Sequence, residues 1–190
     1  MPLTTSLLLL CVGATASSRR GGFSDPSESL DEGGIRAADR MEIPERFRDH
    51  AFRSPSRAAK ETALALSLPA RQEAALADMD WGRWAGRSFE EIGDAEPEAL
   101  TGWLANPANG APDGETMAAA ALRIGRWLDS IRESAHPVCA ITHPMMIRAA
   151  LSHALDMPLR ATLTMDIAPL SHTFLSFHRT WRLQSLNCRH

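Results

Sequence analysis

The sequence predicts an α/β domain: a three-layer sandwich with a mainly parallel central sheet covered on both faces. Three observations carry the prediction. Short apolar runs at 7–12 and 137–142 have the length of buried strands and are bounded by turn residues. Between them lie helical patterns, the clearest being Met117, Ala121, Ile124, Leu128 and Ile131 at spacings of three and four. Two strand-like runs, 172–177 and 181–186, close the chain, and alternation of strand and helix argues a parallel sheet with helices over it.

Taken in order, the first run (LLLLCV, 7–12) has two readings. A secretory signal needs a basic leader, a longer apolar region and a small-residue cleavage site. Residues 1–6 hold no Lys or Arg, and the run is only about half a signal's apolar length. It is therefore read as the first strand. A polar Gly/Ser-rich loop follows over 13–28, then a helix over about 30–40. "HAFRSP" (50–55) reads as a short strand ending at a Pro turn, and the Ala-rich 56–67 as a helix with Pro69 just beyond it. Residues 78–113 are irregular, broken by Pro97, Pro107 and Pro112, and carry Trp81, Trp84 and Trp103, which are assigned to the core. Helices are expected over 114–134 and from Pro144 onward, on either side of the strand at 137–142.

A chain of 190 residues suits one domain, 1–190, here with a helical insertion or cap over roughly 78–113. A formal net charge of −3 without a basic stripe gives no nucleic-acid footprint. No apolar run approaches the ~20 residues of a membrane span. Cys11, Cys139 and Cys188 are too few and scattered for a disulfide framework, and no CxxC suggests zinc. The expectation is a cytoplasmic protein without cofactor or metal. Its partner is a small molecule or a protein, and a homodimer is compatible.

Five stretches then carry a resemblance. "SLDEGGIRAA" (29–38), "SPSRAAKETA" (54–63), "LADMDWGRWAGRSFEEI" (76–92), "GETM" (114–117) and "ITHPMMIRAAL" (141–151) follow one another in the order of motifs in the histidine phosphatase superfamily. The chain resembles that family, with its phosphoglycerate-mutase-like fold, over nearly its whole length. The resemblance implies a neutral histidine attacking phosphorus, two arginines and a second histidine holding the phosphoryl oxygens, and a carboxylic acid protonating the leaving group.

Matched residue by residue, the second histidine is His143 and the acid is Asp78. The family's Arg-His-Gly triplet falls on Cys11, Val12 and Gly13, and its second arginine on Ala58. Thr15 keeps the family identity; Thr15, Arg57 beside Ala58, and Glu115 of "GETM" are the candidate substrate contacts. Valine has no lone pair to donate, so the resemblance implies a degenerate member, inactive as phosphatase or mutase, binding or regulating through the former active-site cleft. The alternative is an enzyme of altered chemistry, a hydrolase or isomerase using Asp78 and His143, or a weak phosphomonoesterase.

Blander readings stand beside these. Cys11 as a cysteine-phosphatase nucleophile would need an arginine at position 17, which is Ser17; a cysteine ending a buried strand is ordinarily an inert small hydrophobe. Cys11, Asp78 and His143 are acceptable zinc ligand types, but no local ligand pair supports a site. A histidine where a strand meets a helix can also simply cap the helix.

Overall fold

The computed structural model describes residues 4–134 and 136–189. Its centre is β1 (Thr5–Cys11), whose leucines alternate between two faces because strand side chains have a period of two. Leu7, Leu9 and Cys11 enter one core with Trp84, Ile124, Leu128 and Ile147. Leu8, Leu10 and Val12 enter the other with Phe47, Ala59, Ala63 and Ile141. The four leucines are fully buried, each contributing about 1.5–3 kcal/mol. Two cores on opposite faces make the helix–sheet–helix sandwich.

After β1 the chain forms α1 (Ala16–Arg20), α2 (Glu32–Ala38), β2 (Ala51–Arg53), α3 (Arg57–Ala65) and β3 (Arg71–Gln72). The short helices α4 (Phe89–Ala95) and α5 (Pro97–Ala105) precede α6 (Met117–Ile131), β4 (Val138–Thr142), α7 (Pro144–Leu155), α8 (Leu159–Thr162), β5 (His172–Phe177) and β6 (Trp181–Cys188). The sheet order is β3-β2-β4-β1-β5-β6. Strands β3, β2, β4 and β1 run parallel; β5 pairs antiparallel with β1, and β6 antiparallel with β5 at the edge of the sheet.

Two elements depart from the expectation. The loop at 13–28 contains α1, opened by a capping box in which Thr15 and Ser18 exchange side chain–backbone bonds. The edge strand β3 spans two exposed residues and has no apolar signal, so pattern alone cannot reveal it. Caps set the shorter bounds of two others. Asp31 accepts from the Gly34 amide to begin α2, and Thr116 accepts from Ala119 to begin α6. No described helix is long and apolar enough to cross a membrane.

Parallel strands end at one edge of a sheet, and this edge is pinned by backbone bonds. Cys11 sits opposite Thr142, and Arg53 opposite Ile141. The Val12 amide donates to the Thr142 carbonyl (2.9 Å) and the Ser54 amide to the Ile141 carbonyl (2.8 Å). Residues 12, 54 and 143, far apart in sequence, thereby meet beyond the carboxyl ends of β1, β2 and β4, where open α/β sheets place their ligands.

Candidate active-site cleft

His143 opens α7 at its N-cap position but makes no capping bond with its side chain. Its ring turns into the sheet edge instead. Nε2 lies 3.1 Å from the hydroxyls of both Ser54 and Ser56. Nδ1 lies 3.4 Å from the Asp78 carboxylate. That carboxylate also accepts from the Ser24 hydroxyl, and the Trp81 indole N–H donates to Ser24 at 3.0 Å. The carboxylate beside Nδ1 assigns the imidazole proton to that nitrogen and leaves Nε2 an acceptor.

Burial pushes the His143 pKa below its ordinary 6.5; Asp78 opposes the shift and Arg123 adds to it. The ring is therefore neutral at pH 7 and can take up a proton. The sign for stability follows: the unfolded chain binds a proton at about 6.5, the folded one only at lower pH, so stability is lost as pH falls below 6.5. The melting temperature is expected to fall as pH drops below about 6.5, and to fall less steeply in His143→Gln. Equal slopes would refute the assignment.

A cavity of about 470 Å³ lies on one side of His143 and Asp78. Cys11, Val12, Thr15 and Ala58 line it together with Phe23, Trp81, Phe89, Trp103 and Arg148. A second space, about 610 Å³, opens on the other side against Ser54, Ser56, Glu115 and Arg123. His143, Asp78, Ser24, Asp25 and Trp81 belong to both. Residues far apart in the sequence thus converge, including every candidate except Arg57.

Arg57 lies on the exposed side of α3, its Nε bonded to Glu61 at 2.8 Å, and it lines neither space. Helix geometry turns it away from the cleft that its neighbour Ala58 faces. Glu115 does face the cleft but is engaged by Arg123 at 2.7 Å. Arg123 also donates to the backbone carbonyls of Ala75, Ala77 and Asp78, so it anchors the segment carrying the acid.

Sequence reasoning passes over Ser24, Ser54, Ser56, Phe23 and Arg148. Ser54 and Ser56 flank the Pro turn after β2, and a serine there reads as the helix cap that Ser56 indeed is. Phe23 is the centre of an aromatic cluster, with ring centroids 4.8–5.3 Å from Trp81, Trp84, Phe89 and Trp103. Trp84 is core, as expected. Trp81 is largely buried and Trp103 partly so, and both also form cleft wall.

The charges are unusual for a phosphate site. Among the described residues, the 470 Å³ cavity holds Asp25, Glu28 and Asp78 against one cation, Arg148. The guanidinium of Arg148 is itself bonded twice to the Met165 carbonyl, at 2.8 and 3.0 Å. The Cys11 thiol, wholly buried, has its pKa pushed up to about 12, which keeps it protonated and unreactive. Among the described residues no group of three or more His, Cys, Asp or Glu is placed to hold a metal.

A strand-end histidine faces an acid beyond the carboxyl edge of an α/β sheet of order 3-2-4-1-5-6. The chain belongs to the histidine phosphatase superfamily, branch 1, whose family profile matches residues 7–189. No match is found among curated proteins. Solved structures share the fold. A mycobacterial glucosyl-3-phosphoglycerate phosphatase is 23% identical with a TM-score of 0.83, covering 97% of this chain and 99% of its own. A putative alpha-ribazole-5'-P phosphatase from Escherichia coli is 20% identical with a TM-score of 0.84, covering 97% of each chain. A protein described as mycobacterial hydrolase 1 is 22% identical with a TM-score of 0.84, covering 98% of this chain and 100% of its own.

Proposed function

We propose that this member has lost phosphoryl transfer and uses its cleft to hold an uncharged or cationic small molecule, in a binding or regulatory role. One observation carries the reading: the cavity that would receive a phosphoryl group is bordered by Cys11, Val12 and Ala58, with three carboxylates and a single, already engaged guanidinium. A phosphate dianion entering it meets like charge and finds few donors. The glucosyl-3-phosphoglycerate phosphatase, by contrast, has been solved with inorganic phosphate and with VO3. Here the aromatic wall of Phe23, Trp81 and Trp103 beside Asp25 and Asp78 offers an apolar surface and negative charge, which suit an aromatic amine.

Thermal unfolding tests this directly. An arylalkyl-ammonium probe such as phenethylammonium, at a concentration about 100-fold above its Kd, is expected to raise the melting temperature by about 5–10 °C. Inorganic phosphate and vanadate are expected to leave it unchanged. Stabilisation by phosphate with no response to the ammonium would overturn the proposal.

A second reading, altered chemistry on the Asp78–His143 pair, is favoured by their 3.4 Å contact inside the cleft. It would place the proton relay on a substrate without phosphate.

A further inference from the structure

Ser56, His143 and Asp78 form a chain in which each group has one chemical role. The Ser56 hydroxyl meets Nε2 at 3.1 Å, and Nδ1 faces the carboxylate at 3.4 Å. Nucleophile, base and orienting acid stand in the order used by hydrolases that attack through serine. The position of Ser56 suits the part. It lies at a strand–turn–helix junction, between β2 and the nine-residue α3, and lines the 610 Å³ space. Its oxygen accepts from the Ala59 amide at 3.2 Å, which holds the side chain in place and leaves a second lone pair for attack. Ser54 is the weaker choice because it is wholly buried, whereas Ser56 retains some exposed surface.

We propose that Ser56 is an acyl-accepting nucleophile, activated by His143 and oriented through Asp78, acting on carboxylic esters. The Ser56 oxygen attacks the ester carbonyl as its proton passes to His143 Nε2. The C–O bond to the alcohol then breaks, and the alcohol leaves with that proton. Water, deprotonated by the same nitrogen, hydrolyses the acyl-serine and returns the hydroxyl and neutral imidazole. The Arg57 amide is taken by the Pro26 carbonyl and the Ala59 amide by Ser56 itself. The Ala58 amide, second in α3, has no protein acceptor among the described residues.

In the charge of its substrate the proposal rests on the ligand preference above; in its nucleophile it does not. The test therefore uses an uncharged probe, an alkyl fluorophosphonate, which loses fluoride as an activated serine oxygen bonds to phosphorus. The folded wild-type protein is expected to take up one adduct, mapped by mass spectrometry to Ser56. Labelling should be abolished in Ser56→Gly, a change that keeps a tolerable helix cap, and slowed more than about tenfold in His143→Ala and in Asp78→Asn. The wild-type rate should be flat above about pH 6.5 and fall in acid, following His143. No adduct, an adduct on another residue, or a rate indifferent to His143→Ala would overturn the proposal. The wild-type map decides even where Ser56→Gly folds poorly. Stabilisation by phosphate in the thermal experiment would defeat the ligand preference and leave the labelling result standing.

Discussion

The wild-type protein is expected to hydrolyse p-nitrophenyl phosphate no faster than its His143→Ala variant. Attack on phosphorus by this family's route requires an imidazole in line with the phosphoryl group and fixed positive charge around its oxygens. Val12 and Cys11 stand at the end of β1, and Ala58 lines the same cavity. One missing oxyanion donor costs about 10²–10³ in rate, and on the proposed reading the nucleophile is missing too. Because such effects do not add, the total is expected to be at least about 10⁴ relative to an active member. Restoring one part should then achieve little: Val12→His alone is expected to gain less than about tenfold. The triple variant C11R/V12H/A58R introduces two guanidiniums and an imidazole at positions that line the cavity, and should gain about 10³ or more. Rapid turnover by the wild-type protein that disappears in His143→Ala, or a phosphoryl adduct on the wild-type chain, would defeat the expectation.

Gly82→Ala is expected to cost about 2–5 kcal/mol, read from the midpoint of denaturant unfolding. Two effects combine there. Gly82 has φ +51°, a conformation that a Cβ disfavours, and the added carbon would collide with the Pro112 carbonyl and the backbone at Asp113 and Gly114. Gly86 provides the comparison. Its φ is +77°, but a Cβ would meet only the Asp25 side chain at ordinary contact distance. Gly86→Ala should therefore show the conformational penalty alone, about 1–2 kcal/mol. Equal losses at the two positions would mean that the close approach at Gly82 is relieved by movement of the loop. The contact also bears on the cleft: the Asp80 carbonyl accepts from the Glu115 amide at 2.7 Å beside this turn, so displacement there loosens both Glu115 and the segment holding Asp78.

How far the chain can be read from its residues alone differs from place to place. Leu7 to Leu10 declare a strand buried on both faces because nothing polar interrupts them. The face of α6 is visible because helical period and burial coincide at Met117, Ile124 and Leu128. His143 and Asp78 stand out by their setting within motifs, and they do face each other. The assignment that departs from the cleft is Arg57. One residue along a helix is about 100° of rotation, and its partner Glu61, one turn on, holds it outward. Ser56 and Ser24 stay hidden for a different reason. Serine is common at turns and caps, and its meaning depends on neighbours from other strands. The same holds for Arg148: its engagement with the Met165 carbonyl is a contact between α7 and a later loop, which no local pattern encodes.

The placement of β1 has a consequence for synthesis in the cell. Both neighbours of this innermost strand, β4 and β5, come from the last third of the chain. Until they have left the ribosome, four leucines have no permanent shelter, and Ser54 has no histidine to face. Long-range parallel pairing forms slowly and leaves apolar segments open meanwhile. A nascent chain stalled before Val138 is thus a client for chaperones, and a truncated product is marked for proteolysis ahead of any chemistry.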